Sequence, residues 1–237
     1  MEPARRLCYL QALGIEVYRL RSRASANSTE EQPVESVCLE PQQGDFSQPL
    51  PKTDNWDRLQ QYVKSCQKCS LAASRTQTVF GTGNPTASWM VIGEAPGADE
   101  DRQGEPFVGR AGQLLDEILW AAGHPRETVY IANILKCRPP KNRDPRPEEV
   151  TACRPYLLEQ IKLVQPELIL CVGRIAAQQL LQVDTPIGKL RGSVHAFEAI
   201  PGQSIPVIVT YHPAYLLRSP GEKRKVWQDI KLARQQH

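Results

Sequence analysis

The sequence contains no long apolar run. Its continuous hydrophobic stretches, such as LILCV at 168–172, are far shorter than the roughly 18 to 20 residues that cross a bilayer. The N-terminal segment lacks the apolar core and cleavage site of a secretory signal, and Glu2 and Glu16 argue against an acid-poor transit peptide. These absences exclude membrane-spanning and secreted classes, and we expect a soluble, cytoplasmic protein with no membrane partner.

A strong net charge is also missing. The 29 Lys and Arg residues nearly balance 26 Asp and Glu residues, which leaves a formal charge of +3. A protein-wide basic field that attracts nucleic acid is therefore excluded, and such an interaction must come from local clusters. Two basic clusters exist, KCRPPKNRDPRP at 136–147 and LRSPGEKRK at 217–225. Each taken alone is equally typical of a solvated surface.

The glycine-rich stretch GTGNPTA at 81–87 lacks the context of a dinucleotide-binding loop. It precedes an apolar stretch, whereas the phosphate-binding fingerprint follows a strand and opens a helix. A turn is the better interpretation.

The cysteine pattern does not fit a disulfide framework, because seven is an odd number and there is no secretory address. Four cysteines have the spacing C-x2-C … C-x15-C, and their thiolates suit zinc and an iron-sulfur cluster equally well by composition. These are Cys66, Cys69, Cys137 and Cys153. Cys171 lies in an apolar run and is interpreted as a core thiol, and Cys8 and Cys38 are interpreted as idle.

Composition divides the chain near residue 54. Residues 21–53 are rich in Ser, Glu, Gln and Pro with few large apolar side chains, so they bury too little surface to offset the entropy of ordering. We predict an N-terminal extension over residues 1–53, made of a short helix and a disordered linker, and one folded domain over residues 54–237.

Within the domain, buried-strand patterns alternate with helical ones. The strand patterns lie at 88–94, 128–134, 167–173 and 205–212. Their alternation with amphipathic helices predicts an α/β fold with a central four-stranded parallel sheet and helices on both faces. In such folds ligands bind beyond the carboxyl ends of the strands.

Several chemically distinctive segments follow these strand ends. GEAPGADED at 93–101 follows the first strand, Asn133 closes the second, and HPAYLLR at 212–218 follows the fourth. His212 has two interpretations, a structural helix cap or a site residue. Phe107, in a turn before a helix, is by default core filler, but an aromatic ring beside a site can also stack on a base.

GEAPGADED, PFVGRAGQLLD at 106–116, YIANILKCRPP at 130–140, HPAYLLR and the cysteine spacing together resemble the family 4 uracil-DNA glycosylases. This is the iron-sulfur branch of the uracil-DNA glycosylase superfamily. The resemblance covers about residues 54–235 and implies a three-layer α/β/α fold, a 4Fe-4S cluster on the four cysteines, and hydrolysis of the N-glycosidic bond of uracil in base excision repair.

Residue chemistry supports a mechanism of this kind. The target nucleotide must leave the stack before its bond is reachable. The Asn133 amide can accept from uracil N3–H and donate to O4, which cytosine cannot match. Phe107 would stack on the ring, and His212, neutral or charged, would donate to the negative charge that develops on O2.

Water positioning is less determined by the sequence. Ala95 stands where the better-known branch has an aspartate, so Glu94 and Glu100 or backbone carbonyls near Ala95 and Pro96 are the candidates. By resemblance, Glu100 also closes the pocket against the methyl group of thymine. The predicted catalytic residues are Glu94, Glu100 and His212. The predicted uracil-binding residues are Glu94, Ala95, Pro96, Phe107, Asn133 and His212.

Binding to single- and double-stranded uracil-containing DNA is assigned to two segments. Leu216 and Leu217 are candidate wedges that enter the vacated stack, and basic side chains would hold phosphates. These basic residues are Arg218, Arg138, Lys141 and Arg143. We expect a monomer, with the N-terminal extension as a tether for a protein partner.

Two alternatives remain open. The first is a catalytically silent DNA-binding module on a cysteine-metal scaffold, which Ala95 and the N-terminal extension favour. The second is a zinc protein of unrelated function that uses the same four thiolates.

Overall fold

A single six-stranded sheet forms the centre of the molecule. The computed structural model describes residues 56–200 and 202–236. The strands are β1 (Thr82–Gly83), β2 (Trp89–Gly93), β3 (Tyr130–Asn133), β4 (Leu168–Val172), β5 (Val194–Ile200) and β6 (Gln203–Thr210). Their order is β1-β3-β2-β4-β6-β5. The inner four run parallel, while β1 and β5 pair antiparallel at the two edges.

Eight α-helices lie in the described part of the chain. They are α1 (Trp56–Lys64), α2 (Ala98–Gln103), α3 (Arg110–Ala122), α4 (Pro147–Val164), α5 (Arg174–Leu181), α6 (Ile187–Leu190), α7 (Pro213–Arg218) and α8 (Lys223–Ala233). No helix among the described residues is long and apolar enough to cross a membrane.

Alternate side chains of the strands pack into two separate cores. In β2, Met90 and Ile92 belong to the core that contains residues of α1, α4, α5 and α6. Trp89 and Val91 belong to the core that contains residues of α3, α7 and α8. A strand buried on both faces needs a continuous apolar run, which explains the sequences WMVIG and LILCV. The sheet therefore lies between two helical layers.

The predicted fold class is confirmed, and so are the four parallel strands. The sequence did not predict the edge strands β1 and β5. Every second residue of β5 is exposed over its first half, so β5 lacks the continuous apolar run of the inner strands. In HPAYLLR, Pro213 occupies the first helical position of α7, where its missing N–H costs nothing.

Strand order determines where a ligand can bind. β3 lies on one side of β2 and β4 on the other, so the order of the strands reverses at β2. In open α/β sheets the crevice beyond the carboxyl ends at such a point is the usual ligand site. The segments that begin at Glu94, Ile134 and Gly173 leave the sheet there. The predicted extension over residues 1–53 lies outside the described residues.

Candidate active site

Asn133 lies at the carboxyl end of β3, opposite Gly93, the last residue of the neighbouring strand β2. Its side chain is buried, and its Oδ1 atom has no hydrogen-bond partner within the described structure. A buried amide oxygen without a partner carries a desolvation cost that a donor from a ligand would relieve. This atom marks the floor of the candidate pocket.

Phe107 reaches the same point from the turn between α2 and α3. A Cβ atom built on Gly93 would lie 2.4 Å from Asn133 Oδ1 and 2.6 Å from Phe107 Cζ. The two side chains therefore converge over Gly93, and only glycine leaves room for both. Phe107 has a left-handed backbone with φ 55°, which a bulky residue rarely adopts.

His212 completes the group from the start of α7. Its ring stacks on Phe107 with centroids 5.6 Å apart and planes 28° apart, and its Cβ packs close to Gly173. Its Nδ1 caps α7 by accepting the Ala214 N–H at 3.1 Å. The structural-cap interpretation of this histidine is thus confirmed through Nδ1, and the site interpretation stays a prediction that concerns Nε2.

The protonation state of His212 follows from its surroundings. Burial, helped by the positive charge of Arg218 and opposed by Glu100, lowers the pKa of His212 to about 4. The ring is therefore neutral near pH 7. Because Nδ1 accepts a hydrogen bond, the single proton resides on Nε2, which is left as a donor.

Glu100 supports the turn that carries Phe107. One of its carboxylate oxygens accepts the N–H groups of Val108 and Gly109 at 3.1 and 3.3 Å, and the other accepts the Gly97 N–H at 3.1 Å. Both oxygens are thus already occupied by backbone donors. This places Glu100 in the wall of the site rather than as a free base.

Glu94 follows β2 directly and is half-buried. Burial and the nearby Asp144 carboxylate raise the pKa of Glu94 to about 7, against the opposing effect of Arg174. A carboxylate with a pKa near neutrality is suited to exchange protons at physiological pH. Ala95 and Pro96 continue this wall, with Pro96 buried and Ala95 packed against the core.

The four predicted cysteine ligands line one cavity, which α1, α4 and the segment after β3 enclose. None of the four forms a disulfide. Two N–H groups point at their sulfur atoms: Arg75 Nη1 lies 3.1 Å from Cys137 Sγ, and the Lys136 backbone N–H lies 3.2 Å from Cys153 Sγ. Within the described residues, no three His, Cys, Asp or Glu side chains form a group that could hold a metal ion.

Two residues predicted to contact DNA have other partners in the structure. Leu216 is fully buried in the core shared with α3 and α8, so it does not face DNA. Arg143 forms a bidentate ion pair with the buried Glu149, at 2.9 and 2.5 Å, so its guanidinium is occupied. In each case the sequence showed the residue type but not the partners that the side chain contacts.

The other predicted contacts lie at the surface. Leu217 is 40% exposed. Arg218 and Lys141 are exposed, and Arg138 is half-buried with its Nε bonded to Asn142. Lys136, from the same basic stretch, is instead buried and donates to the Asn133 carbonyl at 2.8 Å.

Sequence reasoning missed two glycines, Gly93 and Gly173, whose lack of a side chain lets the three site residues approach. A glycine that ends or follows a buried strand is the signal that could have identified them. It also missed the buried Asp101, whose carboxylate accepts the Thr76 N–H.

Fold and site together define an α/β/α protein in which amide, aromatic and imidazole groups converge at the ends of parallel strands. A sequence model of the uracil DNA glycosylase superfamily matches residues 80–231. The type-4 uracil-DNA glycosylase of Archaeoglobus fulgidus is 44% identical over 75% of this chain and 91% of its own length. The type-4 uracil-DNA glycosylase of Thermotoga maritima is 43% identical over 73% and 89%.

The type-4 enzyme of Pyrobaculum aerophilum is similar to the same degree, at 41% identity over 74% of this chain and 91% of that protein. This chain belongs to the uracil-DNA glycosylase superfamily, in its type-4 branch.

Proposed function

We propose that this protein is a monofunctional uracil-DNA glycosylase of base excision repair. It hydrolyses the bond between uracil N1 and the deoxyribose C1′ and leaves an abasic site. The observation that carries this function is the convergence of Asn133, Phe107 and His212 on one space beside Gly93, in a chain of the type-4 branch.

Recognition of uracil rests on the Asn133 amide. Its unpartnered Oδ1 accepts from uracil N3–H, and its NH2 group donates to O4. Cytosine presents the opposite pattern, so it would leave buried polar groups unpaired at a cost of about 1 to 3 kcal/mol each. Phe107 stacks on the extruded ring.

Bond cleavage leaves the electron pair on uracil, with negative charge at O2. A neutral His212 donates its Nε2–H to that oxygen, as an oxyanion-hole group does. A low pKa suits this role because the donor stays in one protonation state across the physiological range. His212 stabilises the leaving group without a prior proton transfer.

The attacking water is assigned to the wall formed by Glu94, Ala95 and Pro96. The ionised Glu94 carboxylate orients the water and takes its proton, and the backbone carbonyls of the same wall hold the second hydrogen. Glu100 stabilises the Phe107 turn, because its two carboxylate oxygens accept backbone N–H groups. It also closes the site against the methyl group of thymine.

Extrusion of the nucleotide is assigned to the exposed end of α7. Leu217 enters the vacated stack, while Arg218, Lys141 and Arg138 hold the phosphates of single- or double-stranded DNA. The protein acts as a monomer in this scheme.

A 4Fe-4S cluster on Cys66, Cys69, Cys137 and Cys153 is the proposed cofactor. The four thiols line one cavity, and N–H groups point at two sulfurs, as expected around anionic sulfur. Four thiolates suit zinc equally well by composition, and the resemblance of the sequence to the iron-sulfur branch of the family favours the cluster. When bound, the cluster cross-links the chain segments before β1 and after β3 to α4.

An excision assay tests the proposal directly. The purified holoprotein should release free uracil from single- and double-stranded DNA without added metal, ATP or strand cleavage, and parallel hypoxanthine and thymine substrates define the lesion range. Binding of the DNA with no uracil released would instead identify a silent DNA-binding module.

A further inference from the structure

The backbone of Phe107 is strained, and the strain lies within the site. Among the described residues with a side chain, only five have φ in the left-handed region, and Phe107, at φ 55°, is the only aromatic one. A bulky residue persists in this region only when its surroundings over-determine it. The contacts that hold this turn are therefore part of how the ring is presented to the base.

Arg126 holds the carbonyl side of the turn. Its Nη2 donates to the Pro106 carbonyl at 2.6 Å, and its Nη1 lies 3.3 Å from the Phe107 carbonyl. The same Nη1 pairs with Asp116 on α3 at 2.9 Å, which fixes the guanidinium. Adjacent carbonyls that face one side repel each other, and a planar cationic fork that binds both removes that repulsion.

The other two sides of the turn are closed as well. Glu100 accepts the following two backbone N–H groups, of Val108 and Gly109. Below the turn, a Cβ atom on Gly112 would lie 1.8 Å from the Phe107 oxygen, so the backbone packs directly on α3. Of these supports, Arg126 is the one whose side chain binds the carbonyl oxygens of the turn.

We propose that Arg126 is a positioning residue that sets the stacking surface of Phe107 for the extruded base. It acts through Phe107 and contacts neither the base nor the reacting atoms. Arg126 precedes β3, whose last residue is Asn133, so one segment both supports the stacking ring and carries the amide that reads the base. This inference rests on the proposed glycosylase activity.

A double-mutant cycle separates positioning from general support of the fold. Single-turnover release of uracil is measured for the wild type, Arg126→Gln, Phe107→Ala and the double variant, each as the purified holoprotein. We expect Arg126→Gln to lower the single-turnover rate about tenfold with Phe107 present and less than about twofold with Ala at that position. Arg102→Gln, which removes an exposed ion pair with Asp99, is the matched control and should leave the rate unchanged.

An equal loss in both backgrounds, or no loss with Phe107 present, overturns the inference. A wild type that releases no uracil contradicts the proposed function instead, so the two failures are distinguishable. If Arg126→Gln does not fold, Arg126→Lys is used in the same cycle. Lysine keeps a charge for Asp116 but not the two-pronged contact, and we expect a loss of about threefold that again disappears with Phe107→Ala.

Discussion

At the scale of single residues, Asn133 has the most specific chemistry, because its amide oxygen is buried and unpartnered in the described structure. We predict that Asn133→Ala lowers uracil excision by roughly tenfold to a hundredfold, the equivalent of about 1 to 3 kcal/mol of lost recognition. Single-turnover release of uracil measures this loss. Asn84→Ala is the matched control, since Asn84 is half-buried and bonds locally to Thr86. A folded Asn133→Ala protein with wild-type rates would remove the proposed base reader.

His212 and Glu94 make different predictions for the pH dependence of the rate. Because the pKa of His212 is lowered to about 4, its ring stays neutral above that value, and it gives no titration between pH 5.5 and 8. Because the pKa of Glu94 is raised to about 7, its ionised fraction increases as pH rises through 7. If this carboxylate takes the proton of the attacking water, the rate must increase over the same range.

Glu94→Gln tests this pH dependence. The variant should be slower, and its rate should no longer rise through pH 7, as measured by single-turnover release at a series of pH values. Glu105→Gln, an exposed glutamate of the same region, should retain the wild-type profile. An unchanged rise near pH 7 in Glu94→Gln would assign the titration to another group. The backbone carbonyls near Ala95 and Pro96 would then be the groups that position the attacking water.

At the scale of elements, helix α7 separates two neighbouring leucines into different roles. Leu216 is fully buried, so Leu216→Ala should lower the free energy of unfolding by about 2 to 5 kcal/mol. Leu217 is 40% exposed, so Leu217→Ala should change stability by no more than about 0.5 kcal/mol. The proposed wedge Leu217 fills the space that the extruded nucleotide leaves in the base stack of a duplex. Its loss should therefore slow excision from duplex DNA more than from single-stranded DNA.

Thermal unfolding and excision on both substrates measure these effects, and each variant is the control for the other. Equal slowing of Leu217→Ala on single and double strands would argue against a wedge. A stable Leu216→Ala protein with a specific duplex defect would reverse the assignment of the two leucines.

The inner strands and helix α7 show which elements the sequence could and could not predict. The inner strands were predictable because burial on both faces demands continuous apolar runs, and their ends placed Asn133 and His212 at one edge. The helix of HPAYLLR was not, because a proline marks a turn and a first helical position equally well. The roles of Leu216 and Arg126 depend on partners distant in sequence, which no local pattern reveals.

At the scale of the whole molecule, the cysteine cavity connects the basic loop to the rest of the fold. The loop that begins at Cys137 is fixed to α4 by the ion pair of Arg143 with Glu149 and to α5 by that of Asp144 with Arg174. The charges of Asp144 and Arg174 also shift the pKa of Glu94, in opposite directions. The loop therefore connects the cysteine cavity with the wall of the candidate site. A cluster on the four thiols would thus stabilise both the loop that is proposed to contact DNA and one side of the candidate site.

We predict that Cys153→Ala abolishes iron binding and visible absorbance and lowers the unfolding temperature markedly, since it removes one ligand of a cross-link between distant segments. Cys171→Ala is the matched control, because Cys171 is equally buried but lies in β4 and does not line the cavity. It should keep the iron and the colour and cost only about 1 kcal/mol for a small cavity.

Iron and zinc contents, absorbance and thermal unfolding of the two variants, compared with the wild type, separate the possible cofactors. A colourless wild type that holds zinc and loses it in Cys153→Ala would keep the four-thiolate site but contradict the iron-sulfur assignment. Equal behaviour of Cys153→Ala and Cys171→Ala would contradict the site itself. The larger loss for Cys153 is expected because a buried thiol in a strand contributes packing alone, whereas a ligand thiol also joins α4 to segments that begin more than 80 residues earlier in the sequence.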